Sequence, residues 1–321
     1  MKTILFHAVI LLLLAVPQFA FGQRLTRIAG LVADDQFVPA LDGFKKKMAE
    51  LGYTEGKNIL YEFENAKGNS NALKSMAQKL IQSKPDLVVT SSTTATVPVV
   101  RAVEGTDLPV VFLSAGDPLR FVKSYASSGN NLTGISTSSL DLIEKRVELL
   151  RELSPKINRI IALSNPKGAN YRTYLRLERE AANRLNLGLT SLEFPAAAEG
   201  VKKTISLITR ELGDALLVPS DLVIVAAAEG IAQQAIRQKI PSVAPIHTVR
   251  KGLLAGYGSD YFALGQQGAV LVDKILKGAR PTDLPIEQPL KLNLVINLKT
   301  AKAIGLKIPR EVLLRADDVI E

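Results

Sequence analysis

The chain has 321 residues, with 40 Lys and Arg against 31 Asp and Glu, no Cys and two His, and its formal net charge is +9 at pH 7. The lack of cysteine excludes disulfides, thiol catalysis and thiolate metal sites, and so few histidines disfavour general acid–base catalysis near neutral pH. Acidic residues are interspersed among the basic ones and no nucleic-acid-binding motif is recognisable, so nucleic acid is not an expected partner.

The first 22 residues are predicted to be a cleaved secretory signal. Lys2 gives a positive start, Ile4–Val16 is almost unbroken apolar sequence, and small residues at Ala20 and Gly22 precede a cleavage site before Gln23. A membrane anchor is the alternative, but a spanning helix needs about 20 apolar residues and this run is shorter. No cysteine lies near the junction, so a lipoprotein is not expected. The mature chain is therefore expected to be soluble and periplasmic.

The next part of the chain predicts alternating strands and helices. Short β-branched runs are separated by amphipathic segments, which is the pattern of βαβ units around a parallel sheet. Gly52 suits a helix end after Leu51, and Pro85 interrupts the chain before the third strand. The predicted strands are Arg27–Val32, Ile59–Glu64, Leu87–Thr90, Val110–Leu113 and Leu132–Ile135, and the predicted helices are Val38–Leu51, Asn71–Gln82 and Val97–Val103.

The second half repeats this plan after a connecting helix, Leu140–Leu153, whose apolar residues have helical spacing. No low-complexity linker separates the halves. We therefore expect an α/β protein of two doubly wound parallel-sheet lobes with a ligand cleft between them. The predicted strands are Arg159–Leu163, Leu189–Glu193, Ala215–Val218, Ser242–Ala244 and Leu254–Tyr257, and the predicted helices are Tyr171–Leu185, Val201–Leu212 and Leu222–Gln238.

A run of hydroxyl side chains follows the third predicted strand, and it includes Ser91, Ser92, Thr93 and Thr94. Ligands of open parallel sheets bind beyond the carboxyl ends of the strands. A helix beginning near Thr94 would direct its free N–H groups and its dipole toward an anion there. Plain N-capping is the alternative, but one cap needs one such residue. We therefore expect these residues to bind a ligand carboxylate.

Further candidates share a position shortly after predicted strands: Asp35, Asp117, Asn165, Tyr171, Asp221 and Asp260. The carboxylates among them are suited to a ligand ammonium or hydroxyls, and equally to capping a helix or fixing a turn. Tyr171 is a candidate wall of the site, although an isolated aromatic residue is more often part of a core. His247 is the one histidine after the predicted signal, and we expect it to be structural rather than catalytic.

Longer motifs are spread from residue 87 to the C-terminal region. They are Pro109-Val110-Val111-Phe112, Gly116-Asp117-Pro118, Gly129–Gly134, Glu148–Pro155, Val218–Asp221, Ala255–Tyr261, Lys274–Ala279, Asn297–Lys302 and Arg315–Asp317. Together they resemble the tryptophan/tyrosine-type ABC transporter substrate-binding proteins, over nearly the whole chain after the predicted signal.

The resemblance implies a type I periplasmic-binding-protein fold of the leucine-binding type, which closes on a small polar ligand without a cofactor or metal ion. It implies three crossovers, so the N-terminal lobe would comprise residues 23–137 with a returning segment at about 262–288. The C-terminal lobe would comprise residues 138–261 with a returning segment at about 289–321. The expected function is capture of an amino acid or related carboxylate by a monomer that delivers it to an ABC permease in the inner membrane.

The sequence also departs from that family. Ser220-Asp221 is followed by Leu222 where the family often has Asp-Asn, and Phe121-Val122-Lys123 replaces a longer loop pattern. The resemblance therefore does not imply which ligand is bound. A sensing subunit for a membrane chemoreceptor or sensor kinase is the alternative function. An enzyme is not expected, because the sequence offers no nucleophile elbow, P-loop or metal-ligand cluster.

Overall fold

The computed structural model describes residues 24–168, 170–194 and 198–321. The predicted signal and its cleavage site lie outside these ranges. Within them, no helix combines the length and the apolar character that crossing a membrane would require.

The N-terminal lobe is built on a five-stranded sheet in the order β2-β1-β3-β4-β5, and all its strands are parallel. β3 is buried along its whole length, as expected for a strand with helices on both faces. Separate apolar clusters cover the two faces, one around Phe112 and the other around Phe44. The strands are β1 Thr26–Val32, β2 Ile59–Asn65, β3 Leu87–Ser91, β4 Val110–Ala115 and β5 Leu132–Ser136, and the helices are α1 Val38–Glu50, α2 Leu73–Gln82 and α3 Thr93–Ala102.

The C-terminal lobe is built on a seven-stranded sheet in the order β12-β11-β10-β9-β8-β6-β7. In chain order its elements begin with α4 Ile143–Leu153, β6 Arg159–Ser164, α5 Tyr171–Arg184, β7 Gly188–Glu193, α6 Ala198–Ser206, β8 Ala215–Leu217, α7 Leu222–Ala226, α8 Ala228–Arg237, β9 Ser242–Ala244 and β10 Ala255–Gly258. After α9 Tyr261–Leu276 they continue with β11 Asn293–Asn297, α10 Leu298–Ile304, α11 Arg310–Leu314 and β12 Asp318–Ile320. The expectation of two α/β lobes with parallel sheets is confirmed for the main part of both sheets.

α9 packs on the N-terminal lobe, although it follows β10 in the chain. It lies against α1 and β4, and the two helices cross with their backbones in contact. A Cβ atom added at Gly265 would lie 1.8 Å from the carbonyl oxygen of Ala40, and one added at Gly43 would lie 1.9 Å from that of Phe262. Only glycine fits at these two positions of the crossing.

The chain passes between the lobes at three places: after β5, between β10 and α9, and before β11. The segment before the third passage is held on the edge of β5, because Ser136 N–H donates to Glu287 O at 2.8 Å and Glu287 N–H donates to Gly134 O at 2.9 Å. These short connections place the carboxyl ends of both sets of parallel strands opposite one another.

Several elements differ from their predicted bounds. α3 begins at Thr93, four residues before the predicted start, because the Ser92 side chain caps it. The predicted helix Leu222–Gln238 is divided at Ala227, the C-cap of α7. α6 ends at Ser206, before the predicted Leu212. β11 runs antiparallel to β10, and β12 is parallel to β11, so this end of the second sheet departs from the parallel pattern.

Candidate functional site

A cleft of about 440 Å³ lies between the lobes, beyond the carboxyl ends of β3, β4, β6 and β8. This volume falls within the range of small-molecule sites, which is about 300–1,000 Å³. Hydroxyl groups dominate the wall from the N-terminal lobe and the first connection, and amide, carboxylate and phenol groups dominate the opposite wall. The polar residues facing the cleft include Ser70, Ser92, Thr93, Thr94, Ser114, Thr137, Ser139, Asn165, Ser220 and Asp221.

The start of α3 lies on the wall that the N-terminal lobe contributes to the cleft. Ser92 caps the helix, because its Oγ accepts a hydrogen bond from Ala95 N at 3.1 Å. Thr93 Oγ1 accepts from Gly116 N at 2.9 Å and from Asp117 N at 3.3 Å, which fixes the loop after β4. Thr94 is half-buried at the cleft surface. Capping therefore engages Ser92, while Thr94 and the first N–H groups of a ten-residue helix face the cleft, where an anion is favoured.

Behind the start of α3, Ser114 and Ser91 hold the backbone of Ser92 in an uncommon conformation. Ser92 has φ +92°, a region that costs free energy for a residue with a side chain. Ser114 Oγ accepts from Ser92 N at 3.2 Å and is paired with Ser91 Oγ at 2.7 Å. Ser91 is fully buried and does not line the cleft, so it supports the Ser92 backbone from behind.

Asp221 lies on the opposite wall, which the C-terminal lobe contributes. Its Oδ1 accepts from Val223 N at 3.0 Å, and Asn165 Nδ2 donates to both carboxylate oxygens at 3.1 Å. Burial raises the pKa of Asp221, and the hydrogen bonds from Asn165 and the backbone oppose that rise. Among the described residues no cation pairs with this carboxylate. An ammonium group of a ligand would supply the missing positive charge.

Aromatic rings form the sides of the cleft. Phe37 and Tyr261 pack with their ring centroids 5.2 Å apart. Tyr174 is buried and its hydroxyl donates to Ser139 Oγ at 3.4 Å, which joins α5 to the first connection between the lobes. The Tyr171 hydroxyl donates to Glu193 Oε1 at 2.6 Å. All four rings line the cleft, so it offers surface for a flat apolar group.

Two buried charged side chains lie next to Tyr174. Glu178, one turn further along α5, is 1 % exposed and its Oε2 has no hydrogen-bond partner among the described residues. Arg146 is also buried, and its Nε donates to the carbonyl of Tyr257 at 2.9 Å. Burial raises the pKa of Glu178 to about 8, while the charge of Arg146 opposes the rise. Burial therefore favours the protonated form of Glu178.

The structure brings together six of the ten residues predicted for the site. Those lining the cleft are Ser92, Thr93, Thr94, Asn165, Tyr171 and Asp221. Ser91 lies behind the cleft, as described above. Asp35 is exposed and accepts a hydrogen bond from Asn65 Nδ2 at 2.7 Å. Asp117 is half-buried in the loop fixed by Thr93, and burial raises its pKa while Arg120 opposes the rise. Asp260 caps α9 and lies beyond Tyr261, outside the cleft.

Sequence reasoning missed other residues of the cleft. Thr137 and Ser139 belong to a second hydroxyl run, residues 136–139, which follows β5 just as the first run follows β3. That pattern was available as a signal. Tyr174 lies within a helix and reads as a core residue. Arg120 and Lys167 give the cleft a positive rim, and nothing in the local sequence distinguishes them from other surface cations.

Known proteins resemble this chain over most of its length. A family model described as ABC transporter substrate binding protein matches residues 26–320. A tyrosine-binding protein of Clostridioides difficile is 29% identical over 288 residues, which cover 89% of this chain and 82% of that protein.

Two solved structures each cover 92% of this chain. One is an ABC domain in complex with L-Trp from Streptococcus pneumoniae, with 26% identity, a TM-score of 0.84 and 100% of that chain covered. The other is the ligand-free, open structure of a substrate binding protein with adhesive properties from Clostridium difficile, with 25% identity, a TM-score of 0.72 and 99% of that chain covered.

Proposed function

The chain belongs to the ABC transporter substrate binding protein family, and from this membership and the chemistry of its cleft we propose that it captures an aromatic amino acid for an importer. The observation that carries the proposal is the polarity of the cleft. Hydroxyls and the N-terminus of α3 on one wall suit an anion, and the Asp221 carboxylate on the opposite wall, unpaired among the described residues, suits a cation. An α-amino acid has both groups on one carbon atom.

The aromatic rings support the choice of side chain. Phe37, Tyr171, Tyr174 and Tyr261 line the same cleft, and aromatic pairs add about 0.5–1.5 kcal/mol beyond the area that they bury. The related proteins point the same way, since one is named tyrosine-binding and another has L-Trp bound. L-Tyr and L-Trp are therefore the first ligands to test.

Binding is proposed to bring the lobes together. The functional lobes would be residues 23–137 with 262–288 and residues 138–261 with 289–321, and the three connections would act as hinges. At nearly equal identity, the structure resembles the L-Trp complex more closely than the ligand-free, open relative, with TM-scores of 0.84 and 0.72. This difference supports the view that the present conformation is the closed one.

The partner and location follow from the same proposal. The protein would be a periplasmic monomer, exported by a signal at residues 1–22, and would deliver its ligand to an ABC permease in the inner membrane. A sensing role at a chemoreceptor or sensor kinase is the second candidate, and a permease gene beside this one would favour import. No catalytic step is proposed.

Calorimetric titration with matched ligands tests the amino acid site. We expect L-Tyr to bind. Tyramine, which lacks the carboxylate, and 3-(4-hydroxyphenyl)propionate, which lacks the ammonium, should each bind about ten- to a hundredfold more weakly, since a hydrogen bond to a charged group contributes about 1.5–3 kcal/mol.

Two variants assign the ends of the ligand. Asp221→Asn should weaken L-Tyr binding but change the affinity for the propionate little, because the propionate has no ammonium to lose. Thr94→Val should weaken the binding of L-Tyr but change the affinity for tyramine little, because tyramine has no carboxylate to lose. If L-Tyr and L-Trp do not bind at all, the proposed ligand class is wrong. If they bind but the two variants do not separate the analogues, the orientation is wrong.

A further inference from the structure

A second cavity, of about 460 Å³, adjoins the ligand cleft on the N-terminal lobe. We call it the basic annex and define it by Lys74, Thr94, Val97, Arg101 and Arg120, which are among its lining residues. It lies between α2 and α3, since Lys74 belongs to α2 while Val97 and Arg101 belong to α3. Thr94 and Arg120 also line the cleft, so the two spaces share a border at the start of α3.

The annex is lined by three cations and by no acidic side chain. Lys74, Arg101 and Arg120 are all exposed, so their charged groups are accessible to a solute. None of the three forms an ion pair within the described ranges. A cavity lined by charges of one sign attracts solutes of the opposite sign. The annex is therefore suited to an anionic group.

The acidic side chains of neighbouring segments do not border the annex. Asp117 lies close enough to Arg120 for the guanidinium to oppose the rise in the pKa of this carboxyl that burial causes. It lines neither the annex nor the cleft. Glu104 and Asp107 follow α3 and line a separate groove, which Arg101 and Arg120 also border. The negative charges are thus on other sides of these arginines, and the positive charges are the ones that face the annex.

The charges of the cleft and the annex can be counted together. The two linings contain four cations, Lys74, Arg101, Arg120 and Lys167, and one carboxylate, Asp221. A free aromatic amino acid has one positive and one negative group and no net charge at neutral pH. Such a ligand would leave the annex cations without a counter-ion. A ligand with a further anionic group matches the combined lining better.

We propose that the basic annex binds a second anionic group of the ligand, so that the protein also takes aromatic amino acids extended at their carboxyl end by an acidic group. This inference rests on the proposed function, in which Thr94 contacts the ligand carboxyl group. Because Thr94 borders both spaces, a chain attached at that carboxyl carbon enters the annex. Its anion is held by Lys74 and Arg101, and its methylene groups pack on Val97 and Pro98.

Calorimetric titration with two dipeptides tests the annex, with L-Tyr as the reference. Tyrosyl-glutamate has one more carboxylate than tyrosyl-glutamine and nearly the same size. We expect tyrosyl-glutamate to bind about three- to tenfold more tightly than tyrosyl-glutamine, as expected for two exposed ion pairs. This preference should decrease as the ionic strength rises, because salt screens exposed charges.

Matched variants locate the charges that are recognised. The double variant Lys74→Gln and Arg101→Gln keeps residues of good helix propensity, and it should bind the two dipeptides with nearly equal affinity. Lys57→Gln is the control for net charge. Lys57 is exposed, precedes β2 at the opposite edge of the same sheet, and lines neither the annex nor the cleft. This control variant should retain the full preference for tyrosyl-glutamate.

The outcomes separate this inference from the proposed function. If L-Tyr binds but the dipeptides bind equally, or do not bind, the annex has no such role and the proposed function stands. A preference that persists in the double variant also overturns the annex. If tyrosyl-glutamate is preferred and L-Tyr does not bind, the annex is supported and a free amino acid is the wrong ligand. If none of the three binds, both proposals are wrong.

Discussion

At the scale of single residues, the cleft depends on side chains that engage their own backbone before they meet a ligand. Ser92 caps α3, and Thr93 holds the loop after β4. Asp221 caps α7 and also accepts hydrogen bonds from the Asn165 side chain. A group fixed in this way loses little conformational freedom on binding, which lowers the entropic cost of association. The capping role of these residues is therefore compatible with the ligand-binding role that we propose for them.

Gly168 provides a test of how closely Asp221 is held. A Cβ atom added at Gly168 would lie 2.7 Å from Asp221 Oδ2 and 3.0 Å from the carbonyl oxygen of Asn165, so the carboxylate must move. We expect Gly168→Ala to weaken ligand binding about tenfold, the cost of one disturbed charged hydrogen bond. Calorimetric titration measures the affinity of this variant for the ligand.

The control for this variant is Gly230→Ala in α8, where the added methyl meets only the end of the Ile205 side chain at 3.2 Å. It should bind ligand as the unmodified protein does. Equal affinities of the two variants would show that Asp221 tolerates displacement, and would argue against its role as the ammonium contact.

Glu178 gives the protein a pH dependence whose sign is determined by burial. Its pKa is about 8 in the folded state, and the ordinary value for a glutamate is 4.5. At pH values between these two, the folded protein keeps a proton that the unfolded chain has lost. The free energy of unfolding therefore falls as pH rises through this window, by up to about 1.4 kcal/mol per pH unit from this group. Glu178→Gln should remove that contribution.

Urea unfolding at pH 5, 6, 7 and 8 checks this prediction. The stability of Glu178→Gln relative to the unmodified protein should increase steadily with pH. Glu180→Gln, on the same helix with a 43% exposed side chain paired to Arg176, should show a constant difference. A constant difference for Glu178→Gln as well would mean that Arg146 keeps Glu178 ionised.

At the scale of elements, the crossing of α1 and α9 decides how the chain returns to the N-terminal lobe. α9 is long and largely apolar, and its buried residues include Gly265, Gly268 and Leu271. Helices normally pack with their axes about 8–10 Å apart, and the glycines at the crossing allow the backbones themselves to touch. This contact fixes α9, and with it Tyr261 at its first turn, which lines the cleft.

Two glycine substitutions in α9 separate backbone contact from ordinary packing. Gly265→Ala places a methyl 1.8 Å from the Ala40 carbonyl oxygen, whereas Gly268→Ala meets the Leu113 Cδ2 methyl at 2.4 Å. A leucine side chain can change rotamer, but a helix backbone cannot move without disturbing its neighbours. We expect Gly265→Ala to lower the free energy of unfolding by about 3 kcal/mol or more and Gly268→Ala by less.

Denaturant unfolding of the two variants makes the comparison, and the gain in helix propensity from Gly to Ala is common to both. If the two variants lost equal amounts of unfolding free energy, α1 and α9 would have to separate easily.

At the scale of the whole molecule, the two lobes are joined by three short connections, and each lobe has apolar clusters of its own. Motion about such connections changes dihedral angles at few residues and leaves the cores intact. In the proposed site the ligand contacts are divided between the lobes, so we expect the complete set to form only when the lobes are close. Ligand affinity and lobe closure would then be two aspects of one equilibrium.

Ligand should stabilise and compact the molecule together. A ligand that binds only the folded state adds about 2.7 kcal/mol at a hundredfold excess over Kd, so the melting temperature should rise with L-Tyr or L-Trp. Small-angle scattering should show a smaller radius of gyration with ligand than without it. A rise in melting temperature without any change in radius would retain binding and reject closure.

Much of this architecture could be predicted from local sequence. The period of apolar residues distinguishes strands from helices over a few residues, so the bounds of β1 to β10 were predicted to within a few residues. The hydroxyl run at 91–94 indicated the start of α3 as a site candidate because capping chemistry is local. β11 and β12 were not predicted as strands, and the antiparallel direction of β11 depends on the path of the chain through earlier elements rather than on its local sequence.

The sequence by itself determined the two α/β lobes, the strand ends that carry polar residues and the resemblance to a family of binding proteins. Only the tertiary structure decided which of those polar residues share a cleft. Asp221 and Asp260 each follow a strand of the same sheet and each cap a helix, so their local sequences are equivalent. The fold brings Asp221 to the cleft and leaves Asp260 outside it, although Tyr261, the next residue after Asp260, lines the cleft. The physical reason is that periodicity and capping act over a few residues, whereas a site is assembled from loops that only packing of distant elements brings together.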